Sequence, residues 1–368
     1  MNIKIITRHF PANYGSILQS IATQKAIEKL GHKSQIIDYI PKNEYGVRGV
    51  LSLLKQKKEW NNSALKKFLY VVLRSPGDVI ANFKFSRMRK KYLELTPRYN
   101  TKEELRENVE PAEIYMTGSD QVWGEIAGGG YDYSYLLDFI SEKYPKVAYS
   151  ASFGKIDFSE EVLLQYKELL SKYKYISLRE LDGVNILNQM GIPNLGQVLD
   201  PVYMFNSEWW SRFIKKERTD KYVLVYQIHA NKDIEEYAKK FAKEKGLKLI
   251  RIFPLLHQIF RGGRLAYLPN ISQFLSYIKN AEYVVTDSFH GTSFSLIFNT
   301  QFINVLAKVN INSRIYSLLK ILGIEDRIVT EKFDFSIADR KIEYNAINKK
   351  IDDLREKSYY ILKTIIEE

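Results

Sequence analysis

The sequence predicts an α/β protein built from two Rossmann-like, doubly wound domains facing a cleft. Three observations carry this. Short β-branched strands alternate with helical patterns in two successive series, one ending near residue 201 and one starting near 221. At 368 residues the chain is too long for one ordinary core. Clusters of small polar residues recur where a strand hands over to a helix, which is where doubly wound sheets bind ligands.

The first series fills residues 1–201. "NIKIIT" reads as a strand, "RHFPANYGS" as a loop, and "ILQSIATQKAIEKLG" as a helix with Gly31 as its stop signal. "SQIIDY" closes a βαβ unit. "AEIYMTG", "KVAYSASFG" and "KYISLRE" read as buried strands, and "GQVLDP" ends the half. "SEEVLLQYKELLSKY" and "ELDGVNILNQMG" are the helices among the later strands. Residues 202–220, with Trp209 and Trp210, read as a connector. The second series, 221–340, runs through "YVLVYQIH", a Lys/Glu-rich helix ending at Gly246, "LKLIRIF", a helix near 270–280, "AEYVVTD", a helix from about Ser288, "QFINVL" and "SRIYSLLKILG". Residues 341–368 read as one long amphipathic helix.

Composition narrows the chemistry. The chain is 45% hydrophobic and 27% charged, and it has no cysteine. Disulfides, thiolate metal sites and a cysteine nucleophile are excluded. The N-terminal apolar run is too short for a signal peptide, and no stretch approaches the ~20 apolar residues of a membrane span. The expected location is cytoplasmic. The net charge of +12 is concentrated: residues 41–100 hold fourteen Lys/Arg against four Asp/Glu, leaving the rest nearly neutral. This segment is expected to be a basic, helical insertion that seeks phosphate. Within it, Leu65, Phe68, Leu69 and Val72 form one apolar stripe flanked by Lys66, Lys67 and Arg74. Two readings fit this pattern. The helix packs on the N-terminal domain with a solvated basic face, or it lies on the anionic inner leaflet of a membrane.

Four strand-to-helix seams carry candidate chemistry. In "VVTDSFHGTSFS", Asp287 or Ser288 is placed to cap a helix starting near Phe289. That sets His290 and the amides of Gly291 and Thr292 at a helix N-terminus, an anion-binding position, although a lone histidine also often caps or packs. The first βα loop holds Asn13, Tyr14 and Gly15, without a dinucleotide fingerprint. "TGSDQVWG" offers Ser119, Asp120, Gln121 and Trp123. Asp120 reads as a general base, a ligand for a sugar hydroxyl or a helix cap, and Trp123 as a ring on which a sugar stacks. Arg179 leaves the strand of "ISLRE" and is either salt-bridged or an anion ligand. Arg314, before "IYSLLKILG", is a second anion candidate. His9, His32, His229, His257 and His290 show no metal-ligand spacing.

Together, "NYGSILQSIATQKAIEKLG", "TGSDQVW", "YSASFG", "ISLRE", "VLDPVYM", "AEYVVTDSFHGTSFSLIFNTQFINV" and "RIYSLLKILGIEDR" resemble the polysaccharide pyruvyl transferase family. The resemblance implies two Rossmann-like domains arranged as in B-type glycosyltransferases. It implies transfer of a pyruvyl group from phosphoenolpyruvate to a sugar diol of a polysaccharide or lipid-linked oligosaccharide, forming a cyclic ketal. No cofactor is implied. By matching motif, His290 corresponds to the family's active-site histidine and Arg179 to its donor-binding arginine. With Asp120 beside His290 in catalysis, the donor would meet Arg179, Ser288, Gly291, Thr292 and Arg314. The acceptor would meet Asn13, Tyr14, Gly15, Ser119, Gln121 and Trp123. Gly124 stands where the family often has asparagine, and Thr300-Gln301 replaces a common lysine-proline.

The chemistry fits these residue types. Phosphoenolpyruvate carries a carboxylate and a phosphate, which call for positive charge and oriented N–H donors. Histidine suits a proton shuttle near neutral pH. The alternatives are a B-type glycosyltransferase using a nucleotide-sugar and, more distantly, a nucleic-acid-binding protein. The confinement of charge to one segment argues against nucleic acid as a partner.

Overall fold

A computed structural model describes the chain except residues 56, 58, 127, 155–156, 230, 254–261, 307–312 and 330–332. Its contacts divide it into two units. Unit 1 is Met1–Met204 with Leu354–Glu368, and unit 2 is Phe205–Asp353. The stretch expected to connect the domains is thus divided at Met204, and its tryptophans belong to unit 2.

Unit 1 runs β1 (Asn2–Ile6), α1 (Tyr14–Lys29), β2 (Lys33–Tyr39), α2 (Gly46–Lys55), α3 (Ala64–Tyr92), β3 (Leu95–Tyr99), α4 (Lys102–Asn108), β4 (Ile114–Thr117), β5 (Lys146–Ala151), α5 (Glu160–Leu170), β6 (Tyr175–Leu178) and α6 (Leu181–Met190). The strands form one sheet in the order β3-β2-β1-β4-β5-β6, every pairing parallel. This is the doubly wound order, with its switch point between β1 and β4. Ile3, Ile5, Ile6, Met116 and Ala148 are buried, as a parallel sheet covered on both faces requires. The caps follow local chemistry. Asn13 accepts from the Gly15 amide at the start of α1, and Ser159 caps α5. Gly31 and Gly191 take positive φ just past α1 and α6, where a side chain would be strained.

Unit 2 runs α7 (Ser207–Ser211), β7 (Tyr222–Tyr226), α8 (Lys232–Glu244), β8 (Lys248–Phe253), β9 (Arg264–Tyr267), α9 (Ile271–Lys279), β10 (Tyr283–Thr286), α10 (Phe289–Ile297), β11 (Phe302–Asn304), α11 (Ser313–Leu322) and α12 (Tyr344–Glu367). Its parallel sheet has the order β11-β10-β7-β8-β9, with a switch point between β7 and β10. The C-terminal part of α12 belongs to unit 1, where the Ser358 hydroxyl accepts from the Leu199 amide at 2.9 Å. The protein is therefore two Rossmann-like units.

Three expectations need correction. The basic segment is not helical throughout, because its last residues form β3. Pro97 cannot donate a backbone hydrogen bond, which an edge strand tolerates. The strand β9 had no reading at all. The stripe Leu65, Phe68, Leu69 and Val72 does not pack on the N-terminal domain, since all four side chains are exposed. The helix buries its opposite side instead, through Gly77, Ala81, Phe85 and Met88.

Candidate active site

At the switch point of unit 1, the residues after β1 and β4 are tied together. The Thr7 hydroxyl donates to the Ser119 carbonyl at 2.7 Å, and the Gly118 amide donates to the Ile6 carbonyl at 2.9 Å. Asp120 follows in the left-handed region, φ 81°, a conformation that aspartate tolerates better than most residues. It caps no α-helix. Its Oδ1 accepts from the Gln121 amide and its Oδ2 from the Ser16 hydroxyl, both at 2.9 Å. The Asp120 side chain is 13% exposed.

Arg179, just past β6, is buried beside it. Its Nη1 donates to Asp200 at 2.8 Å, with Asp120 at 3.6 Å and Glu180 at 3.9 Å. Burial pulls the guanidinium pKa down, but Asp200, Asp120 and Glu180 together outweigh it, and the pKa ends raised. Ser119 donates to Asp200 at 2.9 Å, and the Phe153 amide donates to Glu180 at 3.0 Å. Three carboxylates thus crowd the Arg179 guanidinium. Arg8, two residues past β1, pairs with Glu44 and lies 5.8 Å from the centre of the Tyr135 ring. Sequence reading missed it. The signal was its place just past β1.

Four expected acceptor contacts are buried instead. Trp123 is core: its Nε1–H donates to the Tyr135 carbonyl at 3.2 Å, and its ring packs on Phe153 and Tyr173. No face remains for a sugar. Tyr14 packs 4.9 Å from the Phe85 ring. Gly15 lies inside the first turn of α1, and the Ser119 hydroxyl is committed to Asp200. Asn13 and Gln121 are part-exposed. Gly124, where asparagine is common, has the Phe153 carbonyl 2.8 Å from the position of a Cβ.

At the switch point of unit 2, Ser288 is the cap of α10, its Oγ accepting from the Gly291 amide at 3.2 Å. The Thr292 amide donates to the Ser288 carbonyl at 3.0 Å. The amides of Gly291 and Thr292 are thus used inside the cap and are not offered to an anion. The Thr292 hydroxyl likewise bridges the Ser288 carbonyl and Asn304. Gly291 is needed for packing: a Cβ there would lie 2.5 Å from Thr286 Oγ1. His290 is buried in the first turn, edge-on to Phe289. Arg314 is buried in the first turn of α11.

Asp287 does not cap α10. Its carboxylate accepts from the amides of Ile228 at 2.7 Å and His229 at 3.1 Å, across the switch point. It also faces His229 Nδ1 at 3.3 Å. The His229 side chain is 56% exposed, whereas His290 is 4% exposed. A carboxylate on Nδ1 fixes the ring and leaves Nε2 toward solvent, an arrangement suited to moving a proton. Sequence reading did not see this pair, because its members lie 58 residues apart. His257 lies outside the described residues. Among the described residues, no group of three or more histidine or carboxylate side chains is arranged to hold a metal ion.

A family model described as polysaccharide pyruvyl transferase matches residues 13–307, which include Asp120, Arg179, His229, Asp287 and His290. No curated protein sequence matches the chain. Among solved structures it is similar to a Listeria monocytogenes protein assigned as a UDP-N-acetylglucosamine 2-epimerase, with a TM-score of 0.55 and 8% identity, over 99% of this chain and 94% of that one. It is similar also to UDP-GlcNAc 2-epimerase from Neisseria meningitidis bound to UDP-GlcNAc, with a TM-score of 0.53 and 12% identity over the whole of both chains. A third is the S. aureus MnaA–UDP structure, with a TM-score of 0.51 and 10% identity, over 97% of this chain and 90% of that one. At such identities the likeness is one of fold, the two-unit B-type architecture.

Proposed function

Because the chain belongs to the polysaccharide pyruvyl transferase family, and is thereby a transferase, we propose that it moves the pyruvyl group of phosphoenolpyruvate onto a sugar diol and closes a cyclic ketal. The acceptor we propose is a polysaccharide or a lipid-linked oligosaccharide, with no cofactor besides the phosphoenolpyruvate co-substrate. The observation that supports this most is the coincidence of ionisable groups with both switch points, Asp120 with Arg179 in unit 1 and His229, Asp287 and His290 in unit 2.

In the proposed reaction a proton is delivered to the methylene carbon of phosphoenolpyruvate. A sugar hydroxyl attacks the adjacent carbon and gives up its own proton. The carbon–oxygen bond to phosphate then breaks, and the second hydroxyl closes the ring, its proton leaving with phosphate. Asp120 is our candidate to take the hydroxyl proton, since it keeps some exposure to solvent and already accepts from the Ser16 hydroxyl. Arg179 is wrapped by carboxylates, so we assign it first to positioning Asp120; an anionic donor would reach it by displacing one of them. His290 is our candidate proton donor, and His229, fixed by Asp287, is the second imidazole at the same switch point. Arg314 is the guanidinium proposed for the donor's negative charge in unit 2.

The test incubates the protein with phosphoenolpyruvate and candidate glycan diols. Phosphate release and glycan mass are followed together. The expected product is heavier by one pyruvate less one water, with one phosphate released per ketal. Glycosyl transfer from a nucleotide-sugar, with no product from phosphoenolpyruvate, would overturn the proposal.

A further inference from the structure

The helix α3 presents an unusual surface. Leu65, Leu73, Phe68 and Phe83 are 68%, 67%, 65% and 61% exposed, and Val72 and Val79 are exposed with them. At 100° per residue these side chains fall on one side of the helix, opposite the buried Gly77, Ala81, Phe85 and Met88. The apolar face runs from Leu65 to Phe83, about 27 Å at 1.5 Å per residue. A contiguous exposed apolar face of this size marks a contact with something else.

The charges identify the partner. The same face continues at its C-terminal end into exposed Arg87, Lys90 and Lys91, and exposed Lys66 and Lys84 flank it. Residues 64–92 carry eight Lys/Arg and a single acid, Asp78, which is paired with Arg74. Beside the basic end, Ser86, Lys90, Thr96 and Arg98 line a cavity of about 530 Å³ together with Asp38. Asp38 is already occupied by His9 at 2.9 Å and by Arg98 at 3.0 Å. A second copy of this chain would set like charges against each other across the face. An anionic lipid surface complements both features, with acyl chains for the leucines and phenylalanines and phosphates for the lysines and arginines. Among the described residues no helix is long and apolar enough to cross a membrane, so the contact is one of lying on the surface.

We propose that α3 is a docking face for an anionic membrane leaflet, with its apolar side in the acyl boundary and Arg87, Lys90 and Lys91 at the headgroups. Nothing in this rests on the transfer chemistry, and the test uses neither donor nor acceptor. A failure here is therefore distinct from a failure of the proposed reaction.

The experiment is co-sedimentation of the full chain with vesicles of phosphatidylcholine alone or with phosphatidylglycerol, at low and high salt. Binding is expected to the phosphatidylglycerol vesicles, weakened by salt. Each basic residue at an anionic surface strengthens binding about fivefold, so changing Arg87, Lys90 and Lys91 together to glutamine should weaken it roughly a hundredfold. Changing Leu65, Phe68, Leu73 and Phe83 to serine should also release the protein while leaving its melting temperature unchanged or higher, since these side chains are exposed. No binding to phosphatidylglycerol vesicles at low salt would overturn the proposal. So would equal binding to both vesicle types, or wild-type binding by the serine variant. Self-association abolished by the serine variant, without vesicle binding, would assign the face to a second copy instead.

Discussion

Replacing Arg179 with methionine separates a structural arginine from a substrate-facing one. The guanidinium lies among Asp120, Glu180 and Asp200. The side chains of Glu180 and Asp200 are fully buried. Removing one partner of a buried charge pair typically costs ~3–5 kcal/mol, because the remaining charge is left uncompensated. For a unit of this size each kcal/mol lowers the melting temperature by ~2–4 °C. Arg179→Met should therefore lower the unit 1 transition by about 6–20 °C in scanning calorimetry, against total stabilities of ~5–15 kcal/mol. Arg179→Lys keeps the charge but loses the planar fork, and should fall between the two. Kinetics on the folded fraction complete the test. A positioning arginine should lower kcat with both substrates, through a misplaced Asp120. A melting temperature within a degree or so of wild type, with a raised KM for phosphoenolpyruvate alone, would refute this reasoning and make Arg179 a direct donor ligand.

Three further outcomes are expected. If His290 carries the proton, His290→Ala should cut turnover by ~10²–10⁴-fold without loss of fold, and the same loss in His229→Ala with His290→Ala near normal would move the role to His229. Gly291→Ala forces a methyl to 2.5 Å from Thr286 Oγ1 and should destabilise unit 2 by ~1–3 kcal/mol in urea titrations; an unchanged midpoint would show that the helix can shift. Burial pushes the Asp38 carboxyl up, but His9 and Arg98 override it and hold it below its ordinary 3.8. Its folded value is depressed, so its stabilisation is present above the unfolded value and lost as pH falls through the folded one. Asp38→Asn should cost stability above about pH 5 and progressively less below about pH 4, and a cost that grows on acidification would contradict the assignment.

Much of the architecture was legible because its signals are local. Short β-branched and aromatic runs mark β1, β2, β4, β7 and β10, and apolar residues near helical spacing mark α1, α5 and α11. Both patterns need only neighbouring residues. The strand β3 escaped because Pro97, Arg98 and Thr96 leave it without an apolar run. It is a strand because β2 offers it an edge, with Asp38 opposite Arg98. The strand β9 is four residues long and equally weak by itself.

The sequence by itself determined which residues fall at the strand-to-helix seams, because chain order decides which residues come next after a strand. Ser288, His290, Asp120 and Arg179 stand at such seams whatever the packing. Tertiary structure decided what each can touch. Trp123 is spaced from Asp120 as a ligand residue could be, yet it fills the core because Phe153, Tyr173 and the Tyr135 carbonyl surround it. Arg179 gains Asp120 and Asp200 from distant parts of the chain, beside its neighbour Glu180, and His229 gains Asp287 from across a switch point 58 residues away. The stripe on α3 was visible as a period, but its exposure depends on no other described residue covering it. Burial and charge pairing are sums over groups brought together by the fold, and no window of neighbouring residues contains those sums.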